Sequence, residues 1–209
     1  MLASSNWSDG VTSNPTAADG KRVVVGITGA SGTPIGVRTV EALAEHAEVV
    51  TVVSDAAETV IEHEHDEPDA IRQRIEEASV RVYGEDDLHA PIASGSVATE
   101  GMVIAPTSMN TVAAIATGRA DTLLTRVASV CLKERRTLVV VPREMPLSEL
   151  HLEQLLKLSR MGVDVVPPML GFYFDPQTPT DMVDHVVGKL LERFDIEHDR
   201  YDPWDPEME

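Results

Sequence analysis

The chain has 209 residues, 43% of them hydrophobic and 25% charged, with 17 Lys plus Arg against 35 Asp plus Glu and a formal net charge of −18. That length is ample for one sizeable core, and the composition excludes global disorder, collagen-like and repeat classes. The acidity argues against a generic binder of nucleic acid or anionic membrane, because phosphate backbones are held mainly through Lys and Arg.

In chain order, residues 1–20 lack both a basic and an apolar segment, so they read as a flexible tail and not a signal peptide. Arg22 to Thr28 (RVVVGIT) is a β-branched strand ending at Gly29-Ala30-Ser31-Gly32, and Pro34 suits the first turn of a following helix. VVTVV at 49–53 is a second strand, followed by helical stretches from Asp55 to about Glu64 and from Pro68, where Ile71, Ile75 and Ala78 share a face. A third strand, 102–105, leads into Pro106-Thr107-Ser108-Met109-Asn110-Thr111 and an alanine-rich helix stopping at Gly118. Asp121 is the expected cap of the next helix. TLVVV at 137–141 and VDVV at 163–166 are further strands; helices start at Ser148 and around Pro179 to Asp181, the latter running to about Phe194. Apolar strands alternating with helices predict one doubly wound, mostly parallel α/β sheet of the Rossmann or flavodoxin-like kind, spanning 21–195, with helices on both faces and its ligand beyond the strands' carboxyl ends. Residues 196–209 read as an acidic tail.

Cys131 is the only cysteine, so no intrachain disulfide forms. No apolar run approaches the roughly 18 residues a membrane span needs, and the expected location is cytoplasmic. Only 4 of the 17 cations are Lys; abundant acid with scarce lysine suits a protein kept soluble in a very salty cytosol. The stretch from Gly101 to Met145 reverses the balance, with six cations (Arg119, Arg126, Lys133, Arg135, Arg136, Arg143) against three acids (Asp121, Glu134, Glu144). Such an excess suggests an anionic ligand, although helix ends and ion pairs can use several of these charges.

The glycine turn at 29–32 lets backbone N–H groups approach an anion at a helix N-terminus, with the Ser31 hydroxyl as an extra donor. Ser54 and Ser108 mark two more polar turns at strand ends. Asn110 and Thr111 add donors, and the Arg143 guanidinium can clamp a phosphate two-pronged. His63-x-His65 do not share a helix face and make a poor metal pair. Arg135 and Arg136 suit helix-end or subunit contacts, and Cys131 suits the core. Eight aromatics are present in all, and three of them, Phe172, Tyr173 and Phe174, cluster in one loop as a plausible pocket wall.

GITGASG, VVSDAAETVIEHE, ASGSVATEGMVIAPTSMNT, DTLLTRVASVCLKERR, VVPREMPLSELHLEQL and GFYFDPQTPTDMV together resemble the UbiX-type flavin prenyltransferases, in order, over roughly residues 22–195. The resemblance implies a metal-independent transferase that joins a dimethylallyl group from dimethylallyl monophosphate to N5 and C6 of reduced FMN. The product, prenylated FMN, serves a partner UbiD-type decarboxylase. It further implies a dodecamer with the flavin near subunit contacts. The family's FMN site falls on Gly29, Ala30, Ser31, Ser54, Ser108, Met109, Asn110, Thr111 and Arg143, and its prenyl-phosphate site on Tyr173 and Lys189. Its further catalytic set falls on Glu64, Arg126, Lys133 and Glu144. Thr107 stands where many relatives have Cys, and Asp55 where Lys is common. Trp204 can cover a neighbouring active site, as a C-terminal aromatic does in relatives.

Two other readings compete. The sister flavin-dependent cysteine decarboxylases carry PASANT and a preceding catalytic His, where this chain has PTSMNT after ASGSVATEG, which holds no His. A non-catalytic FMN-binding module has no need of Tyr173, Lys189, Glu64 and Glu144 together.

Overall fold

A computed structural model of the chain describes residues 20–202. The predicted N-terminal tail before Gly20, and Trp204, lie outside the described residues. Six strands, β1 (Arg22–Ile27), β2 (Glu48–Val53), β3 (Arg81–Gly84), β4 (Gly101–Thr107), β5 (Thr137–Pro142) and β6 (Asp164–Val165), form one sheet in the order β3-β2-β1-β4-β5-β6. Every pairing is parallel. The order reverses between β1 and β4, so a crevice opens there beyond the carboxyl ends of the strands, the usual ligand position in such sheets.

Alternation along each strand divides the core into two layers. Val23, Val25, Ile27, Val103, Val139 and Val141 face one side, against helices α1 (Thr33–Ala44), α3 (Pro68–Ala78) and α7 (Pro179–Leu191). Val24, Met102, Ile104, Leu138 and Val140 face the other, against α4 (Met109–Thr117), α5 (Leu123–Glu134) and α6 (Glu149–Arg160). The remaining helix, α2 (Asp55–Glu64), sends Ile61 inward fully buried.

Three local expectations are corrected. Strand β3 is additional: its four residues RVYG are all half-buried and hold the sheet edge, so they carry no apolar run to mark them. The strand expected over 163–166 is two residues long. Thr122, not Asp121, caps α5, its hydroxyl accepting from the Thr125 amide at 3.3 Å; Asp121 instead pairs with Arg119 at 3.3 Å. Thr122 directly precedes the buried Leu123 and can reciprocate with the Thr125 hydroxyl, which an aspartate one residue earlier cannot do.

Packed structure also continues past Phe194. Ile196 packs on the core, and Arg200 binds Glu45 at 3.0 Å and Asp184 at 3.6 Å. Gly188 lets His198 and Tyr201 lie on α7, since a Cβ there would meet each ring at 2.6 Å.

Candidate functional site

Thr28, at the end of β1 and 2% exposed, ties the two sides of the crevice together. Its hydroxyl donates to the Pro106 carbonyl at 2.8 Å and accepts from the Ser108 amide at 2.8 Å. The sequence reading did not single out this residue: its signal is only a buried hydroxyl closing an apolar strand. Gly29 follows, and a Cβ there would come within 2.3 Å of Ala56 Cβ, so only glycine lets the turn lie against α2. Gly32 caps α1 at φ 112, a left-handed conformation suited to glycine. Ala30 is buried and Ser31 half-buried.

Ser54 and Ser108 are N-caps. The Ser54 hydroxyl accepts from Ala57 N at 3.1 Å, and its own amide donates to Ile27 O at 3.0 Å, joining α2 to the end of β1. The Ser108 hydroxyl accepts from Thr111 N at 3.2 Å and lies 3.0 Å from the Thr111 hydroxyl. Helix geometry then leaves the amides of Met109 and Asn110 without intrahelical acceptors. Met109's side chain is buried in the core layer, so only its backbone can face a ligand, whereas Asn110 is exposed. The N-termini of α1, α2 and α4 thus adjoin one another. Neither α1 nor α4 has an acidic residue in its first turn, while α2 has Asp55 and Glu58. Arg143 N donates to Thr107 O at 3.1 Å, which fixes the residue beside the Ser108 turn. Its guanidinium is exposed and has no carboxylate partner among the described residues.

These donors fit a flavin mononucleotide phosphate: a glycine turn that admits no Cβ, free first-turn amides, and an arginine at the rim. Glu64 ends α2, exposed, and its neighbour His65 reaches Thr33 at the start of α1 (Nε2 to Oγ1, 3.1 Å). Glu144 is exposed, its carboxylate accepting from Met145 N at 3.1 Å.

Four of the expected residues lie elsewhere on the chain. Arg126 and Lys133 line a separate cavity of about 670 Å³ with Ser94, Ser96 and Glu134. There Arg126 Nε donates to Ala93 O at 3.2 Å and Lys133 pairs with Glu134, whose carboxyl is held below its ordinary range by that contact. Arg136 is structural: it donates to Gly95 O and Val97 O at 2.7 and 2.8 Å and fixes the loop over this cavity. Tyr173 stands in the loop before α7 and Lys189 on α7 itself. The Tyr173 hydroxyl lies 2.7 Å from His185 Nε2, and Lys189, one turn on from His185, bonds Glu192 at 3.0 Å with its ammonium 4.9 Å from the Tyr201 ring centre. Burial would lower the Lys189 pKa, but hydrogen bonds with Tyr201 and Glu192 outweigh it and the net shift is upward. Among the described residues, no hydrogen bond or ion pair joins either group to the crevice within one chain.

Cys131 is fully buried, and burial pushes its thiol up to about 11. No group of three or more His, Cys, Asp or Glu among the described residues is placed to hold a metal ion. None of the described helices is long and apolar enough to cross a membrane. Exposed apolar side chains concentrate in the segment that follows β5: Met145, Leu150, Leu152, Leu156, Met169, Leu170 and Phe172 are each more than half exposed.

The flavoprotein family model matches residues 11–195. A probable UbiX-like flavin prenyltransferase of Streptomyces sp. (strain D7) is 50% identical over 177 residues, 84% of this chain and 87% of that one. The dodecameric FMN-dependent UbiX-like decarboxylase of Escherichia coli O157:H7 superposes with a TM-score of 0.83 at 45% identity, over 88% of this chain and 99% of that one. AnUbiX (PadA1), solved with FMN and dimethylallyl pyrophosphate, superposes with a TM-score of 0.84 at 39% identity, over 89% and 98%. With half of 177 aligned residues identical to one such relative and the crevice on the same fold, this chain belongs to the flavoprotein family and, within it, to the UbiX-like flavin prenyltransferases.

Proposed function

We propose that the chain joins a dimethylallyl group from dimethylallyl monophosphate to N5 and C6 of reduced FMN, yielding prenylated FMN for a UbiD-type decarboxylase. The observation that supports this best is the crevice itself, where three helix N-termini adjoin beside an unpaired Arg143 in a chain of net charge −18. The Gly29–Gly32 turn, Ser54, Ser108 and the amides of Met109, Asn110 and Thr111 hold the FMN phosphate and ribityl chain. The bound reduced flavin supplies the nucleophilic ring positions.

Breaking the allylic C–O bond sends its electron pair to a phosphate oxygen. Arg143, Tyr173 and Lys189 stabilise that growing negative charge, and Arg126 and Lys133, whose cavity is separate within one chain, add cationic charge where subunits meet. Side-chain cations take the place that Mg²⁺ would fill for a phosphate leaving group. Alkylation of N5 releases the N5 proton; closure onto C6 then requires a proton delivered to the prenyl double bond, which creates the carbocation that C6 attacks, and Glu64, Glu144 or the departed phosphate carries that proton and accepts the one released from C6.

Tyr173 and Lys189 bond within their own cluster, to His185 and Glu192, and a second copy of the chain completes the site between subunits. The segment 145–173 has two cations (Lys157, Arg160) against three acids (Glu149, Glu153, Asp164), net −1, and carries most of the exposed apolar side chains. A near-neutral apolar face of this kind suits a second copy, because it brings little like charge together.

The test is incubation with reduced FMN and dimethylallyl monophosphate, or the diphosphate in a parallel reaction, without divalent metal. A flavin mass gain of one C5H8 unit is expected. Bound FMN with no adduct from either donor overturns the reading.

A further inference from the structure

We propose that His185 is a positioning residue: it sets the direction of the Tyr173 hydroxyl proton toward the phosphate of the prenyl donor. The inference rests on the proposed function, in which Tyr173 meets that phosphate, and concerns a residue outside that set.

Tyr173 stands half exposed in a loop rich in proline and glycine, where nothing intrinsic to a tyrosine holds one rotamer. His185 supplies what the loop lacks. Its Nε2 lies 2.7 Å from the Tyr173 oxygen. Its ring stacks on Phe174 at 4.6 Å between centroids and 17° between planes, and Tyr201 meets it edge-on at 4.7 Å. Gly171 permits this packing, since a Cβ there would lie 3.2–3.4 Å from the rings of Tyr173, Phe174 and His185. The imidazole is therefore held by two ring contacts, one stacked and one edge-type, and the phenol is held by the imidazole.

A phenol has one proton and a neutral imidazole has one N–H. With the proton on Nε2, His185 donates to the phenol oxygen, and the Tyr173 proton is free to donate to a phosphate oxygen. With the proton on Nδ1, Tyr173 must donate to Nε2 and presents only lone pairs to an anion. A bound phosphate therefore selects the first arrangement, and Tyr173 acts as a donor held in place by a second donor behind it. Lys189, one turn along α7, adds positive charge on the same face. Burial first, and then the Lys189 charge, lower the His185 pKa, which keeps the ring neutral and its tautomer free to adjust.

The experiment compares Tyr173→Phe, His185→Phe, the double variant and His185→Gln in steady-state prenyl transfer from dimethylallyl monophosphate, with FMN affinity measured separately. His185→Phe preserves the stacked ring and removes the hydrogen bond; His185→Gln places an amide N–H near the lost Nε2. We expect Tyr173→Phe and His185→Phe each to raise KM for the prenyl phosphate by about 10- to 150-fold, the effect of one hydrogen bond to an ionic group, with FMN affinity unchanged. The double variant should be no worse than Tyr173→Phe, and His185→Gln should recover most of the loss. If Tyr173→Phe raises KM but His185→Phe does not, the positioning role is wrong while the proposed function stands. An undiminished His185→Phe effect on the Tyr173→Phe background, or no recovery with glutamine, makes His185 a packing residue and also overturns it. An unchanged KM in Tyr173→Phe removes the phosphate role of Tyr173 and the inference with it.

Discussion

Replacing Thr28 by valine tests whether the crevice is held open by one buried hydroxyl. The substitution preserves shape and removes two hydrogen bonds at 2.8 Å, to Pro106 O and from Ser108 N. Pro106 O keeps the longer bond from Thr28 N at 3.3 Å, so its loss amounts to about 0.5–1.5 kcal/mol. Ser108 N–H loses its acceptor, and stranding such a donor costs about 1–3 kcal/mol. The new methyl group returns about 1 kcal/mol through burial, leaving a net loss of about 0.5–3.5 kcal/mol. With a urea dependence of roughly 2–3 kcal/mol per molar for a domain of this size, the midpoint should fall by about 0.2–1.8 M. Ser108 caps α4, so FMN affinity should weaken about tenfold if about 1.4 kcal/mol of this loss falls on the bound state. Flavin fluorescence quenching and urea unfolding measure the two effects, and Thr28→Ser, which keeps the hydroxyl, should match the parent protein within about twofold. A Thr28→Val protein with unchanged midpoint and FMN affinity would refute the assignment.

Two further outcomes are expected. The folded-state pKa of Cys131 is raised from 9.0 to about 11, so its contribution to stability is complete below the unfolded value and disappears as pH rises through the folded one. Between about pH 9 and pH 11 the fold should lose about 2–3 kcal/mol relative to a Cys131→Ala protein, and a thiol reagent at pH 8 should react only after urea is added; rapid labelling of the folded protein contradicts this. Paired Leu152→Asp and Leu156→Asp substitutions place charge on the exposed face of α6 without disturbing the core; light scattering should show dissociation to smaller species, and an unchanged assembly moves the interface elsewhere.

The valine-rich strands and the glycine and serine turns were legible because continuous apolar runs, caps and breakers are local signals. β3 was not, since an edge strand of four half-buried residues opening with Arg81 needs only one neighbouring strand to define it. Ser54 and Ser108 were legible as polar turns, but their role as caps requires knowing that Ala57 N and Thr111 N lack other acceptors. Thr28 and His185 escaped for a related reason. Each acts through a partner remote in sequence, Ser108 eighty residues on and Tyr173 twelve residues back, and a buried hydroxyl or a helical imidazole has no spacing rule that announces it. The bonds that Tyr173 makes to His185 and Lys189 to Glu192 were likewise invisible, because a family motif gives the members of a site without their partners.

Charge explains why the crevice is specific in so acidic a protein. Several cations away from the crevice are held by the chain's own carboxylates: Arg22 by Glu48, Arg38 by Asp184, Arg74 by Glu41, and the buried Arg72 by Glu58, Glu62 and Asp69 together. With two acids for every base, an exposed cation usually has an acid within reach. Arg143 forms no ion pair among the described residues: its neighbour Glu144 accepts from Met145 N, and the first turns of α1 and α4 contain no acid. A small phosphate entering between α1 and α4 meets donors that no first-turn carboxylate competes for, whereas at the start of α2 Glu85 already accepts from the Asp55 amide at 3.0 Å. A polyanion lying across the surface would meet the acidic exterior as well, and several of the cations it needs are already neutralised. The same global charge that repels long phosphate chains therefore sharpens the preference for a short one held inside the crevice.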